Sequence, residues 1–316
     1  MGNICDCSTG KLNTAPNSCP DLLQITKRII LVPKYKADGT VNEFANKSAV
    51  TKAALQAKFD ENDIDNRFFP LAEFKNVEET RADSVFQEFN DRSKVKIEDG
   101  KRSFTGYIVN QGAKYLQKIK SWGCQEFGVY IIDKNSNFRY KTDKATELKV
   151  QPIAVDQNSF EAKLVMATDT TAEMIMVSFD FASYELDEYI RYIAYEDLDF
   201  DGLNTSDVYG LYTVTGTATA ISTTGVTITL TTDYGLPVKN LLITDFFDSH
   251  GGTHSNLYNV TDSASVPILT FAETSDGVYA MTFAAQTSTD VLRCTPDKSK
   301  YDFAAVTAVA ITITIP

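Results

Sequence analysis

The chain has 316 residues and a formal net charge of -12, with 43% hydrophobic and 23% charged residues. That balance excludes a disordered or collagen-like chain, and no apolar run approaches the roughly 18 residues of a membrane helix. The acidic surplus argues against binding nucleic acid by clustered Lys and Arg, and the length suits two domains.

Residues 1–24 read as a polar N-terminal arm, MGNICDCSTGKLNTAPNSCPDLLQ. It has neither a basic start nor an apolar core of signal-peptide length, so the expectation is a cytoplasmic site of synthesis. Cys5, Cys7 and Cys19 supply three thiols in the spacing C-x-C-x11-C, one ligand short of a zinc knuckle. MGNIC suggests a lipidation site, but Asp6 stands where that signal wants Ser or Thr. With Cys124 and Cys294 the count is odd, which fits reduced thiols better than a disulfide framework.

Ile25 to Pro33, ITKRIILVP, reads as the first strand. A charged excursion of about forty residues follows, long enough to be a binding loop or lid, with a short helix in SAVTKAALQAKF capped by Ser48 and using Ala49, Leu55 and Phe59 as apolar positions. SKVKIEDGKRSFTGYIV then reads as a hairpin turning at Asp99-Gly100, with Val95 and Ile97 alternating against lysines before it and Phe104, Tyr107, Ile108 and Val109 after it. GAKYLQKIKSWGC is an amphipathic helix stopped by Gly123; its Tyr115, Leu116, Ile119 and Trp122 are core positions rather than a ligand platform. EFGVYIID, FRYKT, ELKVQPIAV, AKLVMAT and EMIMVSFDFAS continue as strands. Residues 25–205 are thus expected to form an antiparallel β-sandwich or open barrel with one packed α-helix and a long loop.

At EDLDFDGLNTSDVYG the texture changes, and from residue 206 to 316 Thr, Ser, Ala and Val dominate. About seven short strands, among them GVTITLTT, NLLITDFFD, VPILTFAE, GVYAMTFAA and AVAITITIP, predict an immunoglobulin-like β-sandwich without the Cys and Trp of antibody domains. The fold class expected for the whole chain is mainly β.

DLDFDG is the sharpest local motif. Asp197, Asp199, Asp201 and Gly202 copy the first six positions of a calcium loop, but Val208 stands where the bidentate Glu belongs, so an acidic turn competes with a calcium site. No other cofactor is indicated. His250 and His254 share SHGGTHS with no serine-elbow motif nearby, and neither a phosphate loop nor a dinucleotide fingerprint is present, so no catalytic residue is assigned and the chain is not expected to be an enzyme. Glu79 and Asp83 read as solvated charges or interface contacts rather than acid and base.

The layout, together with FPLAEFKNVEETRADSVFQEFNDRSKVKIEDGKRSFTGYIV and GVYIIDKNSN, resembles the major tail tube and virion structural proteins of tailed bacteriophages. The resemblance implies a self-partnered hexameric ring in which sheets of neighbouring subunits join, rings stacked into a conduit that DNA crosses without specific binding, and a long loop and N-terminal arm reaching the next ring. It also implies contacts with other virion proteins, an outward Ig-like domain able to touch host glycans, no membrane, and assembly in the host cytoplasm into the virion. A capsid decoration protein or head-to-tail connector ring suits the same features. A carbohydrate-binding adhesin module using SHGGTHSNLY is the alternative from another class.

Overall fold

The computed structural model describes residues 24–316 except 62, 99, 186, 247, 249–252, 295, 299, 304–309 and 313–316. The N-terminal arm, with Cys5, Cys7 and Cys19, and His250 lie outside the described residues. Strands hold 45% of the chain against 13% in helices, so the fold is mainly β. Two compact units divide between Gly210 and Leu211.

In the first unit the elements run β1 (Thr26–Pro33), α1 (Lys52–Phe59), β2 (Phe69–Pro70), β3 (Phe74–Arg81), β4 (Val85–Glu88), β5 (Lys94–Glu98), β6 (Arg102–Val109), α2 (Ala113–Lys120), β7 (Phe127–Asp133), β8 (Phe138–Lys141), β9 (Ile153–Ala154), β10 (Glu161–Val165), β11 (Met174–Asp180) and β12 (Ile190–Ile193). One sheet has the order β12-β8-β7-β1-β2, with β9 also on β7; a second has the order β10-β11-β6-β3.

The first sheet is covered on both faces, which is why β1 and β7 are near-continuous apolar runs rather than alternating ones. Ile29, Leu31, Val129 and Ile131 face Phe104, Ile108, Ile175 and Val177 of the second sheet, in a core that also takes Ile119 and Trp122 from the helical segment after β6. Ile30, Val32, Tyr130 and Ile132 face the other way, onto Phe44, Val50, Leu55, Phe59 and Phe68. The excursion after β1 is therefore a packed layer and not a lid, and both helices read from the sequence are present in the unit, α1 within that layer and α2 after β6. Its first helix starts later than SAVTKAALQAKF suggested: Thr51, not Ser48, is the N-cap, its hydroxyl accepting from the Ala54 amide at 3.2 Å, while Asn46 caps a separate short turn holding Ser48.

Trp122 meets Phe69 and Phe127 edge-on, at 4.9 and 5.4 Å between centroids, and is core as expected. ELKVQPIAV is strand only at Ile153–Ala154, flanked by isolated bridges from Val150 to Phe44 and Gln151 to Lys141.

The acidic stretch 196–210 closes this unit, whose end at Gly210 lies five residues beyond the expected 205. Phe200 and Val208 are buried, and the buried guanidinium of Arg28 donates from Nη1 to the carbonyls of Gly202 and Val208, 3.1 Å each.

The second unit contains β13 (Tyr212–Ser222), β14 (Gly225–Thr232), β15 (Asn256–Asn259), β16 (Ala264–Ser275), β17 (Val278–Phe283), β18 (Val291–Arg293), β19 (Tyr301–Asp302) and β20 (Ala310–Thr312). Its strand order is β19-β13-β14-β17-β16-β15-β18-β20. β16 pairs with β15 through Pro267 and with β17 from Ile268 on, with a register shift just past that point, so one strand serves two sheet halves. The halves β13-β14-β17-β16 and β15-β18-β20 reproduce the ABED and CFG order of an immunoglobulin-like sandwich around a core of Val214, Ile228, Leu230, Phe246, Tyr279 and Leu292. NLLITDFFD is not a strand: it makes a single 3-10 turn at Ile243–Asp245 that sends Leu241 and Phe246 into this core.

Phe74 and Phe104 pack edge-to-face at 5.2 Å across β3 and β6 because Gly106 leaves room for them; a Cβ there would lie 2.6 Å from Phe74 Cδ1 and 2.8 Å from Phe104 Cζ. Gly106→Ala is expected to destabilise the first unit by about 1–3 kcal/mol through overpacking, read as a lower urea midpoint at unchanged slope; an unchanged midpoint would show that the rings yield freely.

Candidate functional site

β3 and β6 are two arms of one long hairpin that outruns its sheet. From Phe74↔Ile108 to Arg81↔Arg102 the arms are part of the buried sheet, and from Val85↔Glu98 to Glu88↔Lys94 the same two chain segments continue as the two-stranded ribbon β4-β5. SKVKIEDGKRSF is accordingly not a hairpin turning at Asp99-Gly100: β5 and β6 are successive stretches of one arm. Gly100 marks the junction instead. A Cβ there would sit 1.6 Å from the Ala82 carbonyl oxygen, so only glycine lets the two arms pinch together, with Ala82 N–H donating to the Lys101 carbonyl at 2.9 Å and Arg81 Nε to the Gly100 carbonyl at 3.2 Å.

The true turn is at the far end. Phe89 N–H donates to the Ser93 carbonyl at 2.9 Å, Arg92 N–H to the Phe89 carbonyl at 2.8 Å, and Arg92 takes a left-handed φ of 67°. Asp91 accepts from the Ser93 hydroxyl and amide, which holds its carboxyl below the usual range.

The ribbon has two unlike faces. Phe86 lies opposite Lys96 and Glu88 opposite Lys94, with Glu88 and Lys94 ion-paired at 3.4 Å. Gln87 lies opposite Val95, with Phe89 two residues on along the same arm, and a register shift between Val85 and Phe86 sets Val85 opposite Glu98 and takes up Ile97 beside it. Val85, Phe89, Val95 and Ile97 are 51%, 45%, 53% and 62% exposed, so this apolar face is covered by nothing among the described residues.

The second sheet offers matching borders. β10 and β3 are its outer strands, neither paired on its far side with a further strand among the described residues; β10 shows Glu161 and Lys163 to solvent and runs into the 69%-exposed Met166.

At the base of the ribbon lies a cleft of about 430 Å³. Arg102 stacks its guanidinium 4.8 Å from the Phe181 ring centre and donates from Nη1 to Asp187 at 3.1 Å; Arg81 also pairs with Asp187. Burial pulls the Arg102 pKa down, and Asp187 opposes that shift. Glu185 is almost wholly buried and accepts on Oε1 from Lys141 Nζ at 2.8 Å.

The calcium candidates are placed apart. Asp199 Oδ1 accepts from the Lys52 amide at 2.6 Å, at the N-terminus of α1, where the helix dipole favours an anion. Asp201 Oδ1 accepts from the Ser136 hydroxyl at 2.5 Å and the Leu203 amide at 2.9 Å. Asp197 closes a separate 3-10 turn. Gly202 packs on buried Ile132, whose Cγ2 would lie 2.6 Å from an added Cβ, which gives the glycine a packing role. Among the described residues no group of three or more His, Cys, Asp or Glu could hold a metal ion.

Glu79 is a contact residue, accepting from Thr26 and, at 3.1 Å, from Arg139. His254 Nδ1 lies 2.9 Å from the Thr244 carbonyl. No helix among the described residues is long and apolar enough to cross a membrane. No protein-family model matches this chain, and no curated protein matches it significantly.

Calcium is expected to leave the melting temperature unchanged relative to chelator-treated protein. A calcium-dependent rise, following the usual gain of a native state that binds ligand, would show that Asp197, Asp199 and Asp201 converge after all.

Proposed function

We propose that this chain is a structural subunit that assembles with copies of itself, of the kind found in phage tail tubes. In this reading rings close through the borders of the second sheet, rings stack through the ribbon, and DNA passes along the conduit without specific binding. The Ig-like unit is a displayed module, and the assembly belongs to a virion built in the host cytoplasm. The observation that carries the reading is the ribbon: two strands that leave their sheet with an apolar face bare. An isolated two-stranded ribbon is marginal in water, and unpaired strand borders invite pairing with another chain. A second copy of the chain supplies both needs at once.

The charge of -12 supports a conduit that does not grip phosphates. Glu79 and His254, two of the groups considered for catalysis, make hydrogen-bonding contacts, and no turnover is proposed. A capsid decoration protein or connector ring would use the same ribbon under a different symmetry, which microscopy separates.

Negative-stain microscopy with mass photometry tests the proposal. Wild-type protein is expected to form rings or stacked tubes as concentration rises. Ile97→Asp, which places a charge on the bare face, should leave the melting temperature within a few degrees because surface changes cost little, while raising the assembly threshold by at least about tenfold. A wild-type chain that stays monomeric throughout would overturn the reading.

A further inference from the structure

We infer that the cleft at the ribbon's base is a socket for the ribbon apex of a second copy of this chain, read through the carboxamide of Asn90. The inference rests on the self-assembly reading above and names the contact that would register one subunit on another.

Two polar atoms in the cleft lining are buried without a partner: Arg102 Nη2, a donor, and Glu185 Oε2, an acceptor. Glu185 is 6% exposed as a residue, and its side chain only 1%. Leaving such groups unmatched forfeits their hydration with nothing in return. Whatever fills the cleft must accept from a guanidinium and donate to a carboxylate. An anion would suit Arg102 and be repelled by Glu185; a cation would suit Glu185 and be repelled by Arg102. A carboxamide offers a C=O and an NH2 in one neutral group, so it answers both without adding charge.

The cleft, at about 430 Å³, far exceeds the roughly 30 Å³ of a single bridging water. It is in the size range of ligand pockets, and Phe181 and Ala182 give it an apolar wall.

The apex of the ribbon carries the complementary group. Asp91 is engaged by Ser93, Arg92 is a cation, and Phe89 is apolar and exposed. Asn90 is exposed, and its carboxamide has no hydrogen-bond partner among the described residues. It sits at the other end of the ribbon from the cleft of its own chain: β4 and its flanks, at most about 20 Å of chain at about 3.3 Å per residue, stand between it and Ser84, the lining residue nearest to it along this arm. The occupant is therefore the apex of another copy, with Phe89 beside Asn90 to pack on the Phe181 wall.

The test uses the full chain and reads the critical concentration for assembly by light scattering and sedimentation. Asn90→Ala should raise it about tenfold, the loss expected for hydrogen bonds to charged groups. Asn90→Asp should raise it further, because the new carboxylate faces Glu185. Adding Glu185→Gln to Asn90→Asp should bring it back to within about threefold of wild type, since the amide of the new Gln side chain donates to the Asp while Arg102 keeps an acceptor. Asn90 is exposed at a turn, so its variants are expected to melt like wild type and decide the matter even if Glu185→Gln impairs folding. If wild type forms rings and both Asn90 variants assemble equally well, the socket is refuted and the self-assembly reading stands. If wild type never associates, both fall.

Discussion

The rest of this structure depends on one constraint of β-sheet chemistry: every strand border exposes backbone donors and acceptors that must be paired, covered or shielded. Within the first unit the long hairpin meets that constraint for half its length. Between Arg102 and Val109 the side chains of β6 alternate into the core and the strand is paired on both sides, while β3 anchors the other arm through buried Phe74 and half-buried Val77. Past Gly100 the same arms carry on with no sheet beneath them, and their apolar residues turn outward. The exposed ribbon is thus a continuation of the core, and the stability of the core fixes its direction.

The build of the unit suits that purpose. Its first sheet is buried on both faces, which makes a stiff central layer. The segment after β12 is fastened to it by Arg28 on the Gly202 and Val208 carbonyls and to α1 by the Lys52–Asp207 ion pair at 2.7 Å. The acidic residues of that segment close backbone turns, cap α1 and pair with lysine. The second sheet, by contrast, alternates buried with less buried side chains along β6 and β11 and has β10 and β3 as outer strands with no further partner strand among the described residues, so the stiff layer and the one proposed to associate are different sheets.

Much of the fold was legible because burial writes a period into the chain. The run Ile29 to Val32 announces a strand covered on both sides, the lysines of AKYLQKIK against Tyr115, Leu116 and Ile119 announce a one-sided helix, and the Thr alternation of GVTITLTT announces a half-buried strand in a sandwich. What escaped was set by distant partners. β9, β15 and β18 are two to four residues long and exist because neighbours pair with them. In the layer over the first sheet only Leu55 and Phe59 keep a helical spacing; Phe44, Val50 and Phe68 have none and are hidden among lysines and aspartates. The hairpin was misjudged because Asp-Gly is a strong turn signal, whereas Gly100 serves a close backbone approach. Asn90-Asp91 between VFQEF and SKVKI was the better sign of the apex. Arg102 and Glu185, 83 residues apart, meet only in the folded chain.

Amide hydrogen exchange across β4 and β5, followed as a function of protein concentration, tests the central claim most directly. If the ribbon is completed by other copies, its amides exchange freely in dilute monomer, gain protection as the protein assembles, and do so while the amides of β1 and β7 stay protected throughout. Ribbon amides equally protected at every concentration would mean that the chain shields them by itself; ribbon amides still unprotected in assembled particles would mean that the ribbon is not what joins the subunits. Either outcome would contradict the account.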